Sequence, residues 1–518
     1  MSFLVEKTNM QHLSSYHPYR PYYGDIHNHC NISYGHGSIE DAYTNARLQL
    51  DFASVTGHAW WHDMPAAEGR LKSLVEYHQR GFSKLDSVWK DVQDVTEGAH
   101  EEGKFVSFLS FEWHSAAHGD HCFYYKGGQG EIVRKSSLQQ MRSEMRRLKE
   151  NGIEMMMIPH HICYLDGYRG IHWDDFDPEF SPVVEMVSMH GCGEHDDAPR
   201  PYLHDMGPRD GRSSLITGLK RGFRFGVIGS SDHHSAHPGS HGHGRMAVWA
   251  ADLTRDSIWQ AIYDRRTVAL TGDRIALAFE LNGALMGQSL PACDQRDMRI
   301  AVRGENPLDY VEIIRNGERI YRLSSHEINQ QHQNENDFVG LIGLSVGWGN
   351  RTDRFKWDVK LEIENGKITR PLPRFKGDVT VSPQDDDRTS YQFSSWHQGD
   401  EQHLEFKTAT IANPNVFTDT TQNFAMEIEG NHRTKIKAII NGKTVEYPLA
   451  ELRDGPRTGY LDGFVSHAYQ LGRAVPEGEY CWDGAFVDQR DASQKDWYYV
   501  RVRQKNDEWA WSSPIYVG

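Results

Sequence analysis

The sequence predicts an α/β, barrel-like domain over residues 1–275 and a β-rich, sandwich-like region over 276–518. Three observations carry this expectation. Between about residues 20 and 275, short apolar runs alternate with amphipathic helical stretches. Of the 29 histidines, 23 lie in residues 1–243, several of them at the ends of those apolar runs. After 275, period-two alternation and Asn-Gly dipeptides take over.

Taken in order, residues 1–20 read as an arm and 22–26 as a short buried strand. Ser38, with Asp41 three residues on, predicts a helix N-cap, and Ala42, Ala46 and Leu50 give that helix its apolar face. Residues 52–56 form the next strand, ending at Gly57-His58. A long helix is expected over 67–98. A strand over 105–111 runs into Glu112-Trp113-His114, and another spans 121–125. A helix over 136–151 ends at Gly152. Strands over 155–158, 183–189 and 225–229 end at Pro159-His160-His161, His190-Gly191 and Ser230-Ser231-Asp232-His233-His234. A helix covers 213–221, and a last β–α unit spans 247–265. Beyond 275, Asn282-Gly283, Asn316-Gly317, Asn365-Gly366 and Asn441-Gly442 each read as hairpin turns. Residues 382–388 and 394–402 read as loops, and the segment 497–503 reads as a clear strand.

The bulk numbers exclude several classes. At 518 residues the chain exceeds one ordinary core. With 38% hydrophobic and 25% charged residues it reads as globular. A net charge of −16 argues against nucleic acid as the partner. It leaves room for an anionic small-molecule substrate if bound cations invert the local field. No apolar run reaches the roughly 20 residues needed to span a bilayer, and no secretory signal is apparent. The six cysteines form no CxxC pair. A cytoplasmic protein without a membrane partner is expected.

His27-Asn28-His29 places two imidazoles on the same side of an extended segment. His58, Glu112, His160, His190, Asp232 and His234 likewise stand at the ends of predicted strands. Parallel α/β folds assemble sites at that face. Imidazoles and carboxylates suit Zn, Mn or Fe, and Glu112 could bridge two ions. Eight such groups exceed what one four-coordinate zinc uses, so two or three divalent transition metal ions are expected. His161 and His233 are read as hydrogen-bonded neighbours that point away. His36, His62 and His118 are read as solvated loop residues. Residues 237–244 are read as a mobile loop over the site mouth, and Asp25 as a group orienting an imidazole.

This series, Gly24-Asp25-Ile26-His27-Asn28-His29, Val55-Thr56-Gly57-His58, Glu112, Pro159-His160, His190 and Gly229-Ser230-Ser231-Asp232-His233-His234, resembles that of the PHP (polymerase and histidinol phosphatase) superfamily. The resemblance implies a distorted (β/α)7 barrel, a multinuclear metal site and the eight residues above as its ligands. Further likeness at 183–194, 253–266, 271–275 and 310–317 is to an uncharacterised branch related to the carbaryl-hydrolase-like PHP enzymes. Many PHP proteins have Asp-His where this chain has Gly57-His58. His62, Asp63, His114 and His121 are candidates to fill that role. His121 is preferred, because it begins a strand just after Glu112 and occupies a similar tract in the related branch.

Clustered cations lower the pKa of coordinated water toward about 7, which implies a metal-dependent hydrolase using a metal-bound hydroxide. Glu112 would fix the ion spacing. His114, His195 and His36 are candidate acids, and Arg169, Arg200 and Arg245 candidate anion-binding groups. The superfamily points to a phosphoester substrate. An alternative is a carboxyl ester, carbamate or amide on an apolar or sugar-like substrate, which Trp60, Trp61, Trp113 and Trp173 would suit. A further alternative is a non-catalytic module in which the metal is structural and the β-rich half binds a glycan or a partner.

Overall fold

A mixed, strand-rich α/β architecture places the ends of several strands around one buried cluster of histidines and carboxylates. The computed structural model describes residues 16–200, 208–329, 337–349, 354–377, 393–410 and 419–518. Most of the expected arm and the expected loop at 382–388 lie outside the described residues.

In chain order the first half runs β1 (Arg20–Asp25), α1 (Ile39–Arg47), β2 (Phe52–Trp61), α2 (Lys72–Ala99), β3 (Val106–His114), β4 (His121–Tyr125), α3 (Leu138–Glu150) and β5 (Met155–Pro159). There follow β6 (Val183–Ser188), β7 (Gly191–Cys192), α4 (Leu215–Lys220), β8 (Gly226–Gly229), β9 (Arg245–Ala250), α5 (Arg255–Tyr263) and β10 (Thr267–Leu270). Local chemistry sets the helix starts. Ser38 accepts the Asp41 N–H at 3.0 Å, and Ser137 and Ser214 cap α3 and α4 in the same way. Helix α2 buries Val75, Phe82, Leu85 and Val92 on one stripe, as its spacing predicts.

The ladder departs from a (β/α)7 barrel. Strands β1, β2 and β3 pair in parallel, but β4 and β5 pair antiparallel, as do β1 with β9 and β9 with β10. Strands β6 and β8 pair in parallel in a separate sheet with β7. The physical reason is connection length. Only six residues separate β3 from β4, too few for the crossover that a parallel neighbour needs.

The second half contributes to the same sheet as the first. The strand Trp509–Ser512 pairs with β10, and Asp496–Gln504 pairs with it in turn, so one sheet of 13 strands crosses residue 275. A core containing Trp249, Val268 and Leu270 continues into Leu277, Phe279, Ile300, Val500 and Val502. A six-stranded and a five-stranded sheet share a further core that includes Ile342, Leu344, Trp357, Val359, Phe406 and Phe424. That is the sandwich packing expected from the alternation.

Three of the four Asn-Gly pairs close hairpins, with Asn282, Asn316 and Asn441 in the left-handed region. Asn365-Gly366 instead carries the chain from one sheet of the sandwich to the other, since Phe355–Glu364 and Lys367–Arg374 have different partners. Within the expected loop 394–402, Ser395–Gln398 is an edge strand.

Candidate metal centre

The site begins with a backbone zipper. The His29 N–H donates to the His233 carbonyl at 2.8 Å, the Asp232 N–H to the His27 carbonyl at 2.7 Å, and the His36 N–H to the His234 carbonyl at 2.8 Å. Asp232 adopts a left-handed φ of 51°, a conformation that costs a non-glycine residue about 1–3 kcal/mol and is held by its surroundings. Its carboxylate meets both histidines of the first strand end. Oδ1 lies 3.3 Å from His27 Nε2 and 3.1 Å from His29 Nε2, while Oδ2 lies 3.2 Å from His190 Nε2.

Alternation along β3 turns Glu112 and His114 to the same face. Glu112 sits centrally: Oε2 is 2.5 Å from His58 Nδ1 and 3.7 Å from His29 Nε2, and Oε1 is 2.8 Å from His160 Nε2. His58 Nε2 faces His234 Nε2 at 3.3 Å and His58 Nδ1 faces His114 Nε2 at 3.1 Å. The structure therefore brings His27, His29, His58, Glu112, His160, His190, Asp232 and His234 together.

Two corrections concern the Gly57 step. His121 does not join the cluster. Its Nδ1 lies 2.9 Å from the Gly119 carbonyl and its ring packs near Trp113 and Phe123. On β4 the inward position belongs to Cys122, the register partner of Glu112. His114 stands with His58 and Glu112 in a set able to hold an ion. It is fully buried, with Nδ1 3.1 Å from Asp120, and so is a member of the cluster. At Gly57 itself a Cβ would fall 2.5 Å from the Leu85 side chain. A side chain there points into α2, so glycine at this position removes no ligand from the cluster.

Other expected residues fall elsewhere. Arg245 is buried and donates to the Gly239 carbonyl at 2.8 Å; burial pushes its pKa down to about 10. Arg200 donates to the Asp507 carbonyl at 3.3 Å. His195 is bonded within its own turn, with Nδ1 accepting the Asp197 N–H at 3.3 Å. Arg169 does reach the cluster: its guanidinium pairs with Asp120, lies 3.2 Å from His114 Nδ1 and stands 5.5 Å over the Trp61 ring. Trp173 packs in a core with Phe223 and Phe225, away from the histidines. His36 is buried, and His62 stacks on Trp113. His161, with φ of 54°, turns toward the cluster, its Nε2 3.8 Å from Asp232 Oδ2. His233 stacks on His243.

The segment expected to be a mobile loop over the mouth is packed, with His237 and Ser240 buried. Among the described residues, Asp25 makes no hydrogen bond to an imidazole. It accepts N–H bonds from His27, Ser231 and Gly239 at 3.2, 3.0 and 2.6 Å, together with the Ser231 hydroxyl, and so ties that segment to the strand ends.

Three supporting carboxylates escaped the sequence reading. Glu185, inward on β6, meets His27 Nδ1 with both oxygens at 3.0 and 3.2 Å. Asp120 holds His114 and Arg169. Glu194, just beyond β7, accepts from Tyr499, from Arg501 at 2.7 Å and from the Trp511 indole at 3.0 Å, which fastens the hairpin bearing His190 to the second half. A buried acid inside an apolar run was the only available signal for Glu185.

Burial dominates the electrostatics. It would raise Glu112 and Asp232, but facing imidazoles reverse this: His114, His58 and His160 hold Glu112 well below the usual carboxylate range, and His27 and His190 do so for Asp232. Burial, reinforced by His29, holds His58 well below the usual histidine value and His234 at about 3. The rings divide: against burial, Asp232 lifts His27 well above the usual histidine value and Cys122 lifts His160 to about 10. Ionised Glu112 and Asp232 beside neutral His58 and His234 have the protonation states of metal ligands.

Distances agree with that role. Two nitrogens on one tetrahedral zinc at about 2.0–2.1 Å stand roughly 3.3–3.4 Å apart. The His27–His29 and His58–His234 pairs are at 3.1 and 3.3 Å. Glu112 Oε2, His160 Nε2 and His29 Nδ1 are buried without a hydrogen bond, which is costly unless another group satisfies such atoms. Among the described residues, His27, His29 and Asp232 form one set able to hold an ion, His29, His58 and His234 a second, His58, Glu112 and His114 a third, His27, Cys122 and His160 a fourth, and Glu112, Asp120, His160 and His161 a fifth.

No family model matches the chain. Among curated relatives, an uncharacterised protein of Chlamydia muridarum is 30% identical over 328 residues, 55% of this chain and 52% of that protein. An uncharacterised protein of Chlamydia trachomatis is 28% identical over 344 residues, 57% of this chain and 54% of that protein. The chain spans about half the length of the curated relatives it matches. A crystal structure of a two-domain protein from Bacteroides vulgatus, containing a predicted PHP-like metal-dependent phosphoesterase, aligns with 86% of this chain and 97% of that one. Its identity is 12% and its TM-score 0.29, too low for the likeness to carry an argument. The fold and the site define a mixed α/β protein whose His/Asp/Glu clusters are able to hold divalent metal.

Proposed function

We propose that the chain is a metal-dependent hydrolase acting on a phosphoester. The observation that carries this reading is the convergence of Asp232 and Glu112 with seven imidazoles in one buried cluster. His27, His29 and Asp232 would hold one ion. His58, Glu112 and His114 would hold another. When bound, such ions supply Lewis acidity and acidify water at neutral pH. The chain supplies the rest. Glu185 and Asp120 orient imidazoles, Arg169 brings a fixed positive charge beside His114 for an anionic group, and Tyr34 stacks on His58 at 3.5 Å and shields it from bulk water.

The aromatic surround of Tyr34 and Trp61, the latter 5.8 Å from His114, favours a second reading: hydrolysis of a carboxyl ester, carbamate or amide.

Purified protein assayed for bound metal, then offered p-nitrophenyl phosphate, bis(p-nitrophenyl) phosphate and p-nitrophenyl acetate, separates the readings. Phosphate-ester turnover that is lost in His27→Ala and Asp232→Asn is the expected result. Acetate turnover alone selects the second reading. Metal without turnover of any substrate leaves a structural metal module, and phosphate release that survives both substitutions removes this cluster from the reaction.

A further inference from the structure

Three rings of the cluster follow one rule. His27, His114 and His234 each turn Nε2 into the cluster and set Nδ1 against an oxygen: Glu185 at 3.0 Å, Asp120 at 3.1 Å (with the Arg169 guanidinium also 3.2 Å from this nitrogen) and the Asp232 carbonyl at 2.8 Å. An acceptor at Nδ1 keeps the proton there and frees the Nε2 lone pair for a cation. His160 obeys the same geometry with a different atom. Its Nε2 faces Glu112, and its Nδ1 faces the Cys122 sulfur at 3.7 Å.

We infer that Cys122 is the positioning residue of His160, its sulfur taking the place that oxygens occupy for the other rings. The inference rests on the metal-site reading above.

Direct ligation is the competing role, since His27, Cys122 and His160 also form a set able to hold an ion. His160 Nε2 lies 2.8 Å from Glu112 Oε1, so this nitrogen faces into the cluster. The other nitrogen, Nδ1, is hydrogen-bonded to Cys122 Sγ. Placement follows from the sheet. Cys122 is opposite Glu112 across β3 and β4 and opposite Ile158 across β4 and β5, and directly opposed residues share a face. His160 follows the end of β5, so its ring lies over that same face. Cys122 is 1% exposed, which shields the contact from water.

Sulfur is a weak acceptor, and its loss should still be felt, because removing such a partner typically costs about 10–100-fold in metal affinity. The test uses the full chain, stripped with chelator and titrated with Co(II) against a competing chelator. Cys122→Ala should bind Co(II) about 10–100-fold more weakly, and Cys122→Ser, which restores an acceptor, should recover most of the loss. Thermal unfolding of the two metal-free variants checks that packing is equal.

The Co(II) spectrum of the unmutated protein gives a readout that needs no variant. A positioning sulfur leaves the near-ultraviolet free of a thiolate-to-cobalt charge-transfer band. Such a band would make Cys122 a ligand and overturn the inference while leaving the metal site intact. Equal affinity in Cys122→Ala also overturns it. Unmutated protein that binds no cobalt overturns the metal-site reading and this inference with it.

Discussion

Glu185 shows how much a single carboxylate can govern. Both of its oxygens face His27 Nδ1, so it fixes which nitrogen of that ring looks into the cluster. Glu185→Gln should keep the fold and weaken metal binding by about 10–100-fold, read by chelator competition. Asp232→Asn should cost more, because Asp232 lies within 3.3 Å of three rings at once. The eight clustered residues were legible as polar groups set within or just beyond apolar runs, with His58 and Glu112 lying inside β2 and β3. Glu185 was not legible, since a lone acid within 183–187 has the pattern of a strand with one solvent-facing position. The choice between His121 and Cys122 was also hidden. It depends on the register with which β4 meets β3, and the short loop between them does not encode it. A one-residue slip exchanges the faces.

At the scale of elements, strand and helix positions were readable and strand directions were not. Alternation of β and α suggested a continuous parallel ring. The antiparallel β4 and β9 break it, and the direction of a ladder is decided by connections that sequence periodicity does not describe. The packing of β2 on α2 carries a prediction of its own. Because a Cβ at Gly57 would lie 2.5 Å from Leu85, Gly57→Asp should add no ligand. It should destabilise the protein by at least about 1–3 kcal/mol through overpacking and the burial of a charge. A lowered unfolding midpoint in denaturant with unchanged metal stoichiometry per folded molecule is the expected outcome; a gained ion would refute the geometry.

Across the whole molecule the two halves share a sheet, so the boundary near residue 275 divides the sequence more cleanly than the structure. A fragment ending at 275 would leave β10 without its Trp509–Ser512 neighbour and bare the core around Trp249, Val268 and Leu270. It should aggregate, which size-exclusion chromatography would show. Acid provides a second global test. Burial holds His78, His121, His234 and His237 at about 3. An unfolded histidine titrates near 6.5, so between those values the unfolded chain binds protons that the folded chain excludes. Stability then falls as pH drops below about 6.5, by up to about 1.4 kcal/mol per pH unit for each residue, and these groups add no slope above it. Melting of chelator-treated protein from pH 7.5 down to 5 measures this limb. A flat profile would contradict the burial of these rings.

The Glu194 anchor sets an order in time. Its Tyr499 partner lies 305 positions further along the chain. At about 5–20 residues per second of synthesis, roughly 15–60 s pass between the two leaving the ribosome's decoding centre. During that interval the His190 hairpin exists without the buried acceptor network that fixes it. The histidine and carboxylate cluster is therefore completed late, after most of the polypeptide has been made.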